Sequence, residues 1–164
     1  MLVQAMALSG TTLPQLTPGG NITGTFHVVT ADGAGPISAV LDPTGTGQFA
    51  KGVPLTVVEQ IPGDKGNFVA AKTKQQRSAV WRGRGLGLLG RRGAANVNQG
   101  FAFAFAVPAG TVCNGTVAGL TGVCLVKIAN ANKAGPFGGV VPVQIAAAGD
   151  GAGNAKVCGS AGRV

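Results

Sequence analysis

The sequence predicts an all-β fold, a β-sandwich with long loops and little helix. Its apolar residues make up 45% of the chain, but 29 glycines and 9 prolines divide them into short runs. Most of these runs alternate or are rich in Val, Ile, Thr and Phe, a composition typical of strands. No window carries apolar residues at helical spacing between capping residues, apart from a weak start at residues 1–8. A chain of 164 residues then suits one domain.

Six segments are the candidate strands: residues 21–30, 37–41, 55–61, 100–107, 122–129 and 140–146. Turn sequences rich in Gly, Pro and Asp lie between the earlier ones: ADGAGP at 31–36, DPTGTG at 42–47 and PGDKGN at 62–67. These separations favour a β-sandwich over a parallel α/β sheet, because they leave no room for crossover helices.

The segment FAFAFAV at 101–107 is the most regular of these strands. Alternation with a period of two places Phe101, Phe103 and Phe105 on one face, which we expect to belong to the core. The alanines between them form the other face, which lies under a loop or accepts a second molecule.

The chain is predicted to form a single β-sandwich domain over residues 1–148. Residues 69–99 are the longest segment without strand character and are interpreted as a basic loop insertion. Residues 149–164 are expected to form a Gly/Ala-rich C-terminal tail.

The net charge of +8 is concentrated in this insertion. Seven of the thirteen cations lie between residues 72 and 92, with no acid among them. A solvated basic loop is the plainer interpretation, but an acidic wall polymer, a nucleic acid or an anionic membrane would also suit such a charge. The candidate polyanion-binding residues are Lys72, Lys74, Arg77, Trp81, Arg82, Arg84, Arg91 and Arg92.

The same segment contains a G-x-G-x-x-G motif at 85–90. A dinucleotide site needs this motif between a strand and a helix, with an acid roughly 20 residues later. No amphipathic helix follows here, and the next acid is Asp150, so the motif does not predict a nucleotide site. Trp81 is the only aromatic residue available for stacking on single-stranded RNA, so nucleic acid is not an expected partner.

Cysteines and sequons indicate an oxidising compartment. Cys113 and Cys124 flank a Gly-rich turn between two apolar segments, which suits a disulfide across a hairpin, and Cys158 is left over. Asn21 and Asn114 begin N-x-T sequons and are candidate glycosylation sites.

We therefore expect a secreted protein, extracellular or in the cell wall, and no apolar stretch approaches the roughly 18 residues of a membrane span. The opening MLVQAMAL lacks the basic region and cleavage site of a signal peptide. If the protein is exported, the given chain is expected to have lost its front end.

No catalytic or metal-binding constellation is visible, and no cofactor is expected. His27 is the only histidine, and it lies in an apolar strand where a structural hydrogen bond is the expected role. Four of the five acids occupy turn-like or Gly-rich contexts, where Asp normally caps backbone groups.

Blocks at 10–47, 57–63 and 107–144, together with the basic RGRG segment, carry a resemblance to a known family. The most specific parts are AGPFGGVVPVQ and the CNGT…GVC block. The chain resembles the fungal appressorium-associated secreted virulence factors of the Egh or gas type. The resemblance implies secretion and a role at host penetration, and it leaves the molecular activity undefined. This chain departs from the family pattern at Ile128, where members often carry a further cysteine, and in its enlarged basic loop.

A more distant likeness concerns fungal lytic polysaccharide monooxygenases, whose core is an immunoglobulin-like β-sandwich. A strand with His27, a loop ending in Gly35-Pro36 and the late GPFGGVVPVQ block are similar to their layout. Those enzymes bind copper through an N-terminal histidine and a second histidine, whereas this chain has Met1 and only His27. The likeness therefore implies the immunoglobulin-like fold without the copper chemistry.

These observations lead to one functional prediction with two alternatives. The prediction is a non-enzymatic secreted fungal protein that acts at the cell surface or host interface, by binding wall polysaccharide or a host surface or by self-association. One alternative is a copper-dependent polysaccharide monooxygenase-like enzyme whose N-terminal histidine is missing from this chain. The other is a structural protein that polymerises through its strand edges.

Overall fold

The computed structural model describes residues 12–68 and 98–145, together with Gln4 and the backbone of Ala155–Gly159. The ten described strands are β1 (Gln15–Leu16), β2 (Asn21–Val28), β3 (Ile37–Asp42), β4 (Val53–Pro54), β5 (Thr56–Glu59), β6 (Gln99–Ala106), β7 (Gly115–Val117), β8 (Leu120–Asn130), β9 (Gly138–Ile145) and β10 (Ala155–Gly159). Two short 3-10 turns accompany them, Ala31–Gly33 and Phe49–Lys51. The all-β prediction is confirmed.

The larger sheet has six strands in the order β1-β9-β8-β3-β4, and β7 pairs with β8 outside this path. Its central strand, β8, is antiparallel to both β3 and β9. Because β8 has a neighbouring strand on both sides, its backbone N–H and C=O groups are hydrogen-bonded along its length, and its position in the sheet is fixed from both sides.

The smaller sheet has four strands in the order β10-β2-β6-β5. Strands β2 and β6 pair antiparallel over their full length, from Asn21 opposite Ala106 to Val28 opposite Gln99. Strand β10 adds to β2 in parallel and lies within residues 149–164, the segment predicted to be a tail. The division into a domain and a tail stays a prediction.

The two sheets share one hydrophobic core. Phe103 and Phe105 of β6 are exposed by only 4% and 0%, and they pack with Leu41 of β3 and Val126 of β8. Phe101 is partly buried at the edge of this cluster, with its ring centroid 5.5 Å from that of Phe68. The prediction that the phenylalanines of FAFAFAV face the core is confirmed.

A disulfide links Cys113 to Cys124, as the sequence predicted, with 5.1 Å between the two Cα atoms. Cys124 lies on β8 and is fully buried, whereas Cys113 precedes β7. The bond therefore fastens the connection between β6 and β7 to the centre of the larger sheet.

Within the described residues, no helix has the length and apolar character that crossing a bilayer would require.

Candidate binding surface

Three loops meet at one end of the two sheets, at residues 30–36, 61–68 and 131–137. Backbone hydrogen bonds join the first two: the N–H of Gly35 donates to the Pro62 carbonyl at 3.0 Å, and the N–H of Gly66 donates to the Gly35 carbonyl at 2.9 Å. These bonds hold the loops together without a regular sheet.

Asn130, the last residue of β8, connects this end to the larger sheet. Its side chain is 3% exposed, and its Nδ2 donates to the carbonyls of Asp32 at 3.0 Å and Ala34 at 3.1 Å. Its Oδ1 accepts the N–H of Phe137 at 2.9 Å. A buried amide is stable only when its polar atoms are paired, so Asn130 acts as a fixed joint between two loops.

Asn132 forms a second joint two residues later. Its Nδ2 donates to the Asp32 carbonyl at 3.0 Å and the Gly66 carbonyl at 3.1 Å, and lies 3.2 Å from Oδ1 of Asn67. Its Oδ1 accepts the N–H of Ala134 at 2.8 Å. The two asparagines thus set the positions of all three loops. Sequence reasoning missed them, although two asparagines directly after an apolar strand and before Gly-Pro are a signal for such capping.

The outer face of the larger sheet is mostly apolar. On β8, Cys124, Val126 and Ile128 face the core, so the alternating residues Leu125, Lys127 and Ala129 face outward. Lys127 therefore occupies the middle of the central strand.

A row of side chains crosses four strands at this point. Val140 of β9 and Val40 of β3 lie directly opposite Lys127, and Pro54 of β4 lies opposite Val40. Three strand spacings give this row a width of about 14 Å. Val140 is 46% exposed, so the row is open to solvent on the β9 side.

Lys127 is half-buried within this row. Its Nζ lies 5.8 Å from the centroid of the Phe49 ring, within the range of a cation–π interaction. In the described ranges, no carboxylate forms an ion pair with Lys127. The ring of Phe49 orients the ammonium group but leaves its charge unneutralised.

A groove of about 250 Å³ opens beside Lys127, at the start of β9. It is lined by Lys127, Ile128, Ala129, Pro136, Gly138, Gly139 and Val140. Gly138 has φ of +155°, and a side chain there would collide with the Ile128 carbonyl and the Ala129 Cα. Only glycine therefore fits at this position of β9.

Among the described strands, none pairs with β9 on this side along the groove. Strand β1 pairs only with Gln144 and Ile145. The N–H of Asn130 on β8 donates to the Phe137 carbonyl, and the N–H of Gln144 on β9 donates away from β8, to the Pro14 carbonyl. Backbone groups alternate in direction along an antiparallel strand, so the N–H and C=O of Val140, four residues before Gln144, also point away from β8. The groove therefore combines the Lys127 side chain, apolar side chains and, among the described residues, backbone polar groups directed away from β8.

The other sequence-predicted residues lie apart from this groove or outside the described residues. Asn21 begins β2 and Asn114 follows Cys113, and both are exposed, but their glycosylation stays a prediction. The side chain of Cys158 falls outside the described part of the chain, as does the whole basic segment: Lys72, Lys74, Arg77, Trp81, Arg82, Arg84, Arg91 and Arg92.

His27 forms a hydrogen bond in the smaller sheet, where its Nε2 lies 3.0 Å from Oδ1 of Asn98. Across residues 12–68 and 98–145, no group of three or more His, Cys, Asp and Glu side chains is arranged to hold a metal ion. Ile128, the position noted for a family cysteine, is buried in the core.

Asp42 lies at the end of β3, opposite Leu125 of β8, and it is only 2% exposed. Its carboxylate accepts the Thr44 hydroxyl at 2.6 Å and the N–H groups of Thr44 at 2.9 Å and Gly47 at 2.7 Å. Burial, the largest influence, raises the pKa of Asp42, but these hydrogen bonds and one from the Gln48 N–H together bring the pKa below its usual value. Asp42 therefore organises the turn after β3 and does not neutralise Lys127.

Comparison with known proteins identifies the family. A profile of the Egh16-like virulence factors matches residues 1–138. The chain belongs to the Egh16-like virulence factor family. The resemblance inferred from the AGPFGGVVPVQ and CNGT…GVC blocks is thereby confirmed.

Curated relatives of this Egh16-like chain come from Pyricularia oryzae. It is 37% identical over 141 residues to the appressoria-specific virulence factor GAS1. The aligned stretch covers 86% of this chain and 45% of the relative. It is 35% identical over 129 residues to the appressoria-specific virulence factor GAS2. That alignment covers 79% of this chain and 37% of the relative. The chain thus spans less than half the length of these relatives. No solved structure matches it.

Proposed function

We propose that this Egh16-like chain is a secreted, non-catalytic module that binds a cell-wall polysaccharide at the fungal surface or the host interface. The open outer face of the larger sheet carries the proposal. The relatives are named as appressoria-specific virulence factors, which supports a role at the contact with a host.

The surface has the chemistry that a sugar chain requires. Val140, Pro142 and Val40 present apolar groups to the C–H faces of sugar rings. The backbone N–H and C=O of Val140 have no partner among the described residues and can bond hydroxyl groups. Ligand sites in proteins commonly combine such apolar walls with a few well-placed polar groups.

The polar side chains of the described residues support a binding role over a catalytic one. Asn130 and Asn132 join loops, Asp42 organises a turn, and His27 bonds to Asn98. Each has a structural partner, so the groups best placed to contact a ligand are those of the open face.

Sedimentation of the full chain with insoluble chitin, cellulose and pectin tests the proposal. We expect at least one polymer to retain the protein, and Val140→Asp to abolish retention by placing a carboxylate at the solvent-exposed β9 end of the row. Val29→Asp is the matched control, because Val29 is 55% exposed but lies beyond the end of β2, away from this face. Failure of all three polymers to retain the wild-type chain would overturn the proposal.

Self-association through a strand edge is a second candidate, favoured by β5. Val57 and Val58 of this edge strand are exposed by 41% and 58%, an unusual amount of apolar surface for an unpaired edge. The edges of the larger sheet carry Pro54 and Pro142, which oppose strand addition there. Sedimentation-velocity analysis over a wide concentration range tests this candidate, and a monomer at every concentration would exclude it.

A further inference from the structure

We propose that the groove beside Lys127 binds a uronate unit of an acidic polysaccharide, with the Lys127 ammonium group contacting the uronate carboxylate. The inference rests on the proposed function, because it assigns a polymer class to the same surface. It makes Lys127 the residue that selects acidic over neutral sugar chains.

The position of Lys127 points to an anionic ligand. A cation that is half-buried among Val40, Val140 and Leu125 has lost part of its hydration, and a carboxylate would replace that loss with a charge-assisted hydrogen bond. The contact with the Phe49 ring holds the ammonium group over the face without neutralising it.

Among the described residues, no acid forms an ion pair with Lys127 that would compete with a ligand carboxylate. Asp32 and Asp64 belong to the end loops, Glu59 ends β5, and the carboxylate of Asp42 is occupied by Thr44 and Gly47. The chain as a whole carries +8, with seven of its thirteen cations at 72–92, so its net charge attracts a polyanion but does not place that charge at the groove.

The size of the groove indicates one sugar unit with the polymer continuing beyond it. Its volume of about 250 Å³ is below the roughly 300–1,000 Å³ of sites that enclose a drug-sized ligand. One end is bounded by Pro136 and Gly138, whereas the apolar row continues from Val140 across the sheet. A chain of sugars can therefore place one carboxylate at Lys127 and lay its neighbours on the open face.

The local chemistry favours a uronate over a nucleic acid. Tight binding to nucleic acid draws on several cations spaced along the phosphates, because the gain comes from releasing many counterions. Lys127 is the single cation on the outward positions of β3, β8 and β9. A uronate polymer needs only one such contact per bound unit and uses apolar and hydroxyl-bonding groups for the rest.

Titration calorimetry with a defined galacturonate oligomer and its methyl-esterified form tests the inference. Esterification removes the carboxylate charge and keeps the sugar ring, so we expect the wild-type chain to prefer the free acid. Lys127→Gln should weaken binding of the free acid by about tenfold and leave binding of the ester unchanged. Val140→Glu should have a similar effect, because the new carboxylate lies opposite Lys127 and competes for it.

Lys65→Asn is the matched control for charge. Lys65 is an exposed cation of the end loops with φ of 49°, a conformation that asparagine accepts, and its loss lowers the net charge by the same amount. We expect wild-type affinity from this variant. Circular dichroism establishes that each variant is folded. If Lys127→Gln does not fold, the acid and ester affinities of Val140→Glu provide the test instead.

Any of three results would overturn the inference, and the first two would leave the proposed function in place. The first is that the wild-type and Lys127→Gln chains each bind the free acid with the same affinity as the ester or a neutral oligomer. The second is an equal loss of acid binding in Lys127→Gln and Lys65→Asn, which would show a general charge effect, such as one from the basic segment at 72–92. A preference for a single-stranded oligonucleotide over the galacturonate would also overturn it. Absence of binding to any wall polymer would instead overturn the proposed function itself.

Discussion

Asn130 and Phe137 are joined twice. The backbone N–H of Asn130 donates to the Phe137 carbonyl at 2.9 Å, and the side-chain Oδ1 of Asn130 accepts the Phe137 N–H at 2.9 Å. Because the same side chain also bonds to the carbonyls of Asp32 and Ala34, the start of β9 is held in register with a loop that lies about a hundred residues earlier in the chain. The groove beside Lys127 depends on this connection.

Replacing Asn130 by alanine should therefore lower stability strongly. The change leaves the Phe137 N–H and the carbonyls of Asp32 and Ala34 without their partner, and we expect the free energy of unfolding to fall by about 3 kcal/mol. Urea denaturation followed by circular dichroism measures this. Asn67→Ala is the comparison, because Asn67 is exposed and its replacement should lower the free energy of unfolding by less than about 1 kcal/mol. Equal losses from the two variants would contradict the role assigned to Asn130.

Asp42 should make stability depend on acidity. Its folded pKa lies below the ordinary value of 3.8, so the unfolded chain takes up the proton first as the pH falls. The stabilisation is fully present at neutral pH and should be lost as the pH drops from about 3.8 through the lower folded pKa. Unfolding by urea at several pH values measures this. Asp42→Asn should be less stable at pH 7 and show a flatter profile between pH 5 and 2. An unchanged profile would mean that other carboxylates dominate acid unfolding.

Gly138 and Gly139 should respond oppositely to the same substitution. A Cβ at Gly138 meets the Ile128 carbonyl and lies 2.8 Å from the Ala129 Cα, at φ of +155°, whereas a Cβ at Gly139 meets nothing within 4 Å. We expect Gly138→Ala to lower the free energy of unfolding by more than about 2 kcal/mol. Gly139→Ala should be neutral or slightly stabilising. Thermal denaturation of both variants distinguishes them, and a neutral Gly138→Ala would show that β9 takes a different path beside the groove.

Removing the disulfide should weaken the fold without abolishing the sheet pairing. The bond closes a short loop of sequence separation 11, for which the expected stabilisation is about 3 kcal/mol. The double variant Cys113→Ala and Cys124→Ala should melt at a lower temperature and become insensitive to reductant. The wild-type chain should lose a similar amount when reduced. No effect of reductant on the wild-type melting temperature would argue against this bond.

The longer strands were predictable because their pattern is local. The candidate at 100–107 corresponds to β6, where alternation identifies both the strand and its buried face. The candidate at 140–146 corresponds to β9, where a composition rich in Val and Ile identifies the strand. Strands β1, β4 and β7 have two or three residues each and carry no such pattern. They exist because longer strands offer them hydrogen-bonding partners.

The groove was not predictable in the same way. Lys127 lies in GVCLVKIA, a sequence that indicates a strand but says nothing about what flanks the lysine. Val40, Val140 and the Phe49 ring reach it from other parts of the chain through strand register. The asparagines at 130 and 132 carry a local signal for capping, but the sequence does not identify their partners at 32 and 66.

The sequence alone determined the all-β class, the family, the inward row of phenylalanines and the Cys113–Cys124 bond, because each depends on residue types at short spacings. The choice of the cation on the open apolar face, and of the loops that meet at one end of the sheets, depends on three-dimensional packing. Those relationships come from pairing between strands far apart in the chain, where packing and hydrogen-bond satisfaction select one register among many that the local pattern allows.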